Sequence, residues 1–289
     1  MFANSSSSPP RTDRLVEYVV AGLAALSGLL LALVLAFLAR ESWPVLSNDG
    51  WQRFFSPDGW FPDSKAFNLW PMVAATLAAA AGAVVLALPM GVGSALFIRF
   101  YAPPSLAALF RRVLIVLAGV PSVVFGLWGL TVLVPLITQW APPGASLLAA
   151  ILILTLMVLP TVAVTAESAL AAVPQAWLLG GEALGLGRAA ITLKVALPAA
   201  RAGIAGGALL AAARALGETM AVLMVAGNVV QFPTSLFDPV RVLTANIALE
   251  MAYATGDHRA SLFVAGLLLT LLVAVLAWLA HQCEYIRYD

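Results

Sequence analysis

Six stretches of this chain are apolar for long enough to cross a hydrocarbon core, and that limits its architecture more than any single motif. About 20 apolar residues span roughly 30 Å at about 1.5 Å per residue. The spacing predicts spans at about 15–39, 71–98, 113–140, 147–170, 199–227 and 260–280. Of 289 residues, 62% are hydrophobic and 10% charged, against about 25% charged in a soluble domain. The expected fold class is therefore an all-α integral membrane protein with six transmembrane helices. The run from Leu15 to Ala39 exceeds the roughly 7–15 residues of a signal-peptide core, so it reads as an uncleaved first transmembrane helix.

Polar segments separate the spans. Residues 1–14 are Ser/Pro-rich and expected to be a disordered tail, and 283–289 form a second short tail. The 40–70 loop holds Trp43, Trp51, Trp60 and Trp70 among Pro, Gly and Asp. It is expected to form turns, either folded against the membrane interface or knotted as a small aromatic cluster. Pro121, Gly126, Gly129 and Pro135 predict kinks in the third span. Residues 228–259 form a second polar loop. Segment 171–198 is Gly-rich and carries Glu182, Arg188 and Lys194. It should not span: it is either a helix lying on the membrane surface or a docking element.

Six spans put both termini on one side. Arg11, Arg14, Arg99, Arg111, Arg112, Arg188, Lys194, Arg201 and Arg287 fall on that side. Arg40, Arg53, Lys65, Arg241 and Arg259 fall on the other. The positive-inside rule then predicts cytoplasmic termini, periplasmic loops 40–70 and 228–259, and a cytoplasmic 171–198 segment.

Several function classes lack their residues. A net charge of +1 gives no argument for nucleic acid, and one cysteine, Cys283, cannot form an intrachain disulfide. His258 and His281 are too few for a metal site. G-x-S-x-G, H-E-x-x-H and G-x-x-x-x-G-K-[ST] are all absent, so no catalytic residues are expected and any ATP hydrolysis belongs to another chain.

The conspicuous chemistry lies within 201–228, where Arg214 and Glu218 interrupt an apolar stretch. A charge at mid-membrane costs about 2.5–3.5 kcal/mol on insertion scales. On a continuous helix the two would share a face and could pair. The pair either lines a transport path or fixes helix packing. Ser122 and Thr219 offer hydroxyls to the same region. Gly203 and Gly207 have GxxxG spacing. Glu167, near the end of the fourth span, suits an interface residue.

Two motifs carry a family resemblance. Gly185, nine residues, then Val195-Ala196-Leu197-Pro198 resembles the EAA loop of ABC-importer permeases, with Val195 in place of the family's isoleucine. Leu179 stands where that family has its glutamate, and Glu182 lies about one helical turn on. The stretch Arg214-Ala-Leu-Gly-Glu-Thr-Met-Ala-Val222, ending in Gly227-Asn228, is similar to the PstC family of phosphate-importer permeases, as is Gly119-Val-Pro-Ser-Val-Val-Phe-Gly-Leu127. Together the likeness covers about 71–282.

The resemblance implies a type I ABC-importer permease core in the bacterial inner membrane. It implies a PstA-like second permease subunit, a cytoplasmic ATP-binding subunit dimer that binds ATP and Mg, a periplasmic phosphate-binding protein, and phosphate as substrate. Leu179, Glu182, Ala183, Gly185, Val195, Leu197 and Pro198 would couple to the ATPase, and Arg214, Glu218, Thr219 and Ser122 would line the path. A permease for sulfate or molybdate, and a membrane enzyme acting on a lipid phosphate, are the rival readings.

Overall fold

The computed structural model describes residues 11–56 and 59–285; the expected tail over 1–10 and the last residues, 286–289, lie outside them. The first helix, α1 (Arg11–Asp49), begins at Arg11, so residues 11–14 are its first turn, not part of a tail. It also runs ten residues into the expected 40–70 loop. The remainder of that segment is compact: a 3-10 turn at Trp51–Phe55, then β1 (Trp60–Phe61) paired antiparallel with β2 (Ala66–Phe67). Phe54, Trp60, Phe67 and Leu69 are buried there while Trp43, Trp51 and Trp70 stay exposed. The aromatic knot therefore forms around Trp60, and the other three tryptophans of the segment lie outside its buried core.

Next come α2 (Trp70–Leu96), α3 (Pro104–Gly119), α4 (Ser122–Trp128), α5 (Val134–Thr138) and α6 (Leu147–Ala171). The expected single span over 113–140 is instead two arms. Pro104–Gly119 and Ser122–Thr138 meet at 94°, because Val120, preceding Pro121, is extended at φ −67°, ψ 129°. The chain continues through α7 (Gln175–Ala183), α8 (Arg188–Ala190), α9 (Leu197–Gly217), α10 (Met220–Val225), α11 (Leu243–Glu250) and α12 (Gly256–Tyr285). Residues 283–285 belong to this last helix.

Three π-helical turns, Phe97–Tyr101, Gly129–Leu133 and Ile191–Ala196, each precede a proline within three residues. A proline has no N–H to return to the preceding turn; at Pro135 and Pro198 the widened turn carries the helix past that loss, whereas the first π turn ends at extended Ala102 and Pro103. The turn at Ile191–Ala196 matters most. It carries helix continuously from Arg188 to Gly217, so Pro198 is not the boundary expected of it; the break falls at Gly187.

At the centre α6 packs on α2 and α9. On α2, Ala75, Ala79, Ala83, Ala87, Gly91 and Ala95 recur every four residues and are buried, letting the two backbones approach. A Cβ on Gly91 would sit 2.7 Å from Val162, and one on Gly82 2.6 Å from Ile151. On α9, Gly203 faces Ala169 and Gly207 faces Thr165 across the same α6, so the GxxxG pair packs helices here. Around this centre α1 and α12 form an outer pair, with Phe37 and Phe263 edge to face at 5.5 Å. Most of α1 presents bare Leu and Val, as a lipid-facing helix does.

The α6 N-terminus shows how the polar loop is tied down. Its first amides, lacking partners within the helix, donate outward: Ser146 to the Val225 carbonyl at 3.0 Å, Leu147 to Asp238 at 2.9 Å, Leu148 to Leu236 at 2.7 Å. Asp238 in turn accepts from the Thr234 hydroxyl at 2.6 Å and the Ser235 amide at 2.7 Å. These bonds hold its carboxyl below the ordinary 3.8, the Thr234 hydroxyl contributing most.

Candidate functional site

The Arg214 region is not one helix. Gly217 ends α9, Glu218 is extended at φ −70°, ψ 131°, and α10 starts two residues later. Glycine is a poor helix former by about 1 kcal/mol, and polar groups take over the freed backbone. Glu218 Oε1 accepts from the Ala221 amide at 3.3 Å, capping α10. The Glu218 carbonyl accepts from the Thr244 hydroxyl at 2.8 Å. Thr219 donates its hydroxyl to the Gly217 carbonyl at 3.3 Å.

This overturns the expected Arg214–Glu218 pair. The four-residue spacing places two side chains together only on a continuous helix, and here Glu218 has turned forward to α10. Among the described residues no carboxylate lies within ion-pairing distance of Arg214. Its side chain is exposed on the last turn of α9, where the helix dipole favours a cation.

Ser122 opens α4, which lies against α10. Gly126 makes that contact possible, since a Cβ there would come within 2.9 Å of Ala221 Cα and 2.8 Å of Met224 Sδ. Gly129 similarly meets Val225. The two helices thus run in parallel register, which carries Ser122, one turn before Gly126, toward the Gly217–Thr219 break. Arg214, Glu218 and Thr219 flank one discontinuity, while Ser122 sits at the start of the helix packed on α10, and among the described residues no hydrogen bond joins it to the other three.

The coupling candidates divide. Leu179, Glu182, Ala183 and Gly185 lie on or beside α7, all exposed. Gly185, at φ +78°, closes α7: its amide donates to the Glu182 carbonyl at 2.9 Å and the Leu186 amide to Gly181 at 3.1 Å. This is a Schellman-type stop that needs a left-handed residue, which glycine supplies without strain. Val195, Leu197 and Pro198 stand apart, inside the long helix leading to Arg214. The exposed face of α7 and its turn is apolar, with Trp177, Leu179 and Leu184.

Charged contacts also fall outside the expected site. Glu167 pairs with Arg111 at 2.6 Å, tying α6 to α3. Glu250, buried among the polar loops, accepts from Trp60 Nε1 at 2.8 Å and Arg241 at 2.6 Å, and its Oε2 lies 2.8 Å from His258 Nε2. Trp60 and His258 belong to segments far apart in sequence, so no local spacing signals this cluster.

The molecule is a polytopic helical bundle with a broken helix inside it and a short helix that bares apolar side chains. Residues 87–283 match the family described as binding-protein-dependent transport system inner membrane component. The chain belongs to that family. It is 32% identical to the phosphate transport system permease protein PstC of Mesorhizobium japonicum, over 93% of this chain and 89% of that protein. Against PstC of Pasteurella multocida the identity is 33%, over 86% of this chain and 83% of the relative. Among solved structures, an inward-facing MetNI methionine ABC transporter chain matches with TM-score 0.56 at 21% identity, covering 74% of this chain and 91% of the other; this likeness shows the fold alone. The chain is thus a multi-pass inner-membrane permease of the type I importer fold, a transporter subunit and not an enzyme. The family implies a separate ATPase and a substrate-binding protein as partners.

Proposed function

We propose that this chain is the PstC-type permease subunit of an ATP-driven phosphate importer, forming half of the translocation path beside a PstA-like subunit. The observation that carries the reading is Arg214: an exposed guanidinium, without an internal carboxylate partner, at the end of a broken helix. Phosphate is an anion at neutral pH, and the planar guanidinium matches its oxygens. A residue serving only to hold helices together would have its countercharge within the bundle.

In this reading both termini and α7 lie in the cytoplasm, where α7 docks on the ATP-binding dimer, which holds ATP and Mg. The continuous helix from Arg188 to Gly217 links that docking element to Arg214. Phosphate arrives from a periplasmic binding protein at the opposite end, beside the Trp60–Phe67 hairpin and the 226–242 loop. Glu218 and Thr219 form the break between α9 and α10 beside Arg214, and Ser122 adds a hydroxyl to the path. Uptake of labelled phosphate and sulfate by a strain lacking this gene and complemented with wild type, Arg214→Lys or Glu218→Gln tests it, with subunit assembly followed by co-purification. Wild type should restore phosphate uptake and Arg214→Lys should lower it in an assembled complex. Restored sulfate uptake with phosphate unchanged refutes the assignment.

A further inference from the structure

We propose that the pocket between the end of α2 and α7 binds a phosphate-bearing anion, the headgroup of an anionic phospholipid being the source favoured by its surroundings. The pocket has a volume of about 630 Å³, and its lining includes Arg99, Phe100, Gln175, Leu179, Glu182 and Arg188. That is room for a small ligand on the scale of about 300–1,000 Å³ usual for binding sites. The inference is independent of which substrate crosses the membrane.

Two guanidiniums face this concavity from different elements, Arg99 from the π-helical turn after α2 and Arg188 from α8. Neither has a carboxylate within ion-pairing distance among the described residues. Arg188 lies instead over the Tyr101 ring at 6.0 Å. By contrast Arg111, on the neighbouring helix, is paired with Glu167. The only carboxylate lining the pocket, Glu182, is exposed and bonded to neither arginine. Two cations against one carboxylate leave a positive concavity, and the guanidinium fork donates to two phosphate oxygens at a time. Gln175, the first residue of the nine-residue α7, lines the same wall and brings a side-chain amide that can donate to an anion.

The source follows from what adjoins the pocket. Phe97, in the same π-helical turn as Arg99, packs edge to face on Phe110 at 5.6 Å, and both rings remain exposed. Beyond them the outer face of α3 bares Val113, Ile115 and Val116. An acyl chain leaving the headgroup has apolar surface to follow, which a free phosphate ion would not use.

The test is native mass spectrometry of the full-length chain in detergent, with phosphatidylglycerol, with phosphatidylcholine of the same acyl chains, and with inorganic phosphate alone. Wild type should retain phosphatidylglycerol over phosphatidylcholine, the Arg99→Gln/Arg188→Gln variant should lose it at least tenfold, and Glu182→Gln should raise its occupancy. Displacement of the lipid by inorganic phosphate would confirm the same anion site with a second source. Equal retention of both lipids by wild type, or undiminished phosphatidylglycerol on the double variant, overturns the proposal. Should the double variant fail to fold, Glu182→Gln decides: unchanged occupancy there also overturns it.

Discussion

The Trp60 indole N–H donates to Glu250 Oε2 at 2.8 Å, joining a hairpin and a helix separated by 190 residues of sequence. Arg241, which also donates its Nε to the Asn228 carbonyl at 2.9 Å, completes the junction with its bond to the other carboxylate oxygen. The polar loops at this end of the bundle are thereby fastened to each other through one buried side chain.

Glu250→Ala should therefore be costly. It leaves Arg241, whose side chain is only 19% exposed, with the neutral acceptors of Asn228 and Asn246 alone, and loss of one partner from a buried pair costs about 3–5 kcal/mol. Trp60→Phe keeps the ring and loses a single bond to a charged acceptor, about 1.5–3 kcal/mol. Thermal unfolding in detergent should rank Glu250→Ala below Trp60→Phe and both below wild type.

Gly206 and Gly207 offer a matched comparison. A Cβ on Gly206 meets nothing within 4 Å, whereas one on Gly207 would sit 2.1 Å from Thr165 Oγ1. Gly206→Ala should leave stability and assembly intact. Gly207→Val should overpack the α6–α9 contact at a cost of about 1–3 kcal/mol, seen as a lower melting temperature of the purified protein.

Arg214 and Glu218 should respond differently to truncation. Arg214 has no internal ion pair to lose, so Arg214→Ala should melt close to wild type while phosphate uptake falls. Glu218→Ala removes the cap of α10, about 1 kcal/mol, and should lower both melting temperature and uptake. A large fall in melting temperature for Arg214→Ala would instead assign it a packing role.

The turn at 234–238 should weaken in acid. Asp238 is held below its ordinary 3.8 by bonds to its charged form, so its contribution is fully present above 3.8 and is lost as pH falls through the lower folded value. Hydrogen exchange of the Thr234 and Ser235 amides, corrected for intrinsic rates, should accelerate below that value. Asp238→Asn should show faster exchange at neutral pH and no such acid transition.

Gly185→Ala tests the stop of α7. With φ at +78°, an L side chain there costs roughly 1–2 kcal/mol. Uptake and ATPase co-purification should both fall while the membrane bundle, remote from this turn, keeps its melting temperature.

Much of this molecule is legible in its sequence. Apolar run length placed most of the spans, since in lipid the backbone must satisfy itself within a helix. Glycines and charges marked 171–198 as a segment that would not cross; the first part forms the short α7, while the rest, from Arg188, belongs to the long apolar helix that follows. The 94° turn at Pro121 and the start at Arg188 were harder to see. A proline marks a place where a helix can end without saying whether it will, and π-helical turns let the chain pass Pro198 but not Pro121.

The residues of the candidate site were legible as types, because a charge in an apolar run is expensive wherever it sits. Their relationship was not. Pairing of Arg214 with Glu218 required helix through Gly217, and that depended on whether Thr244 and the Ala221 amide would satisfy an interrupted backbone. Local sequence thus determined the class of protein, five of the six long apolar helices and the presence of a cation within an apolar run. Tertiary structure alone decided which carboxylate meets which cation, because Glu250, Arg241 and Trp60 converge only after distant segments pack.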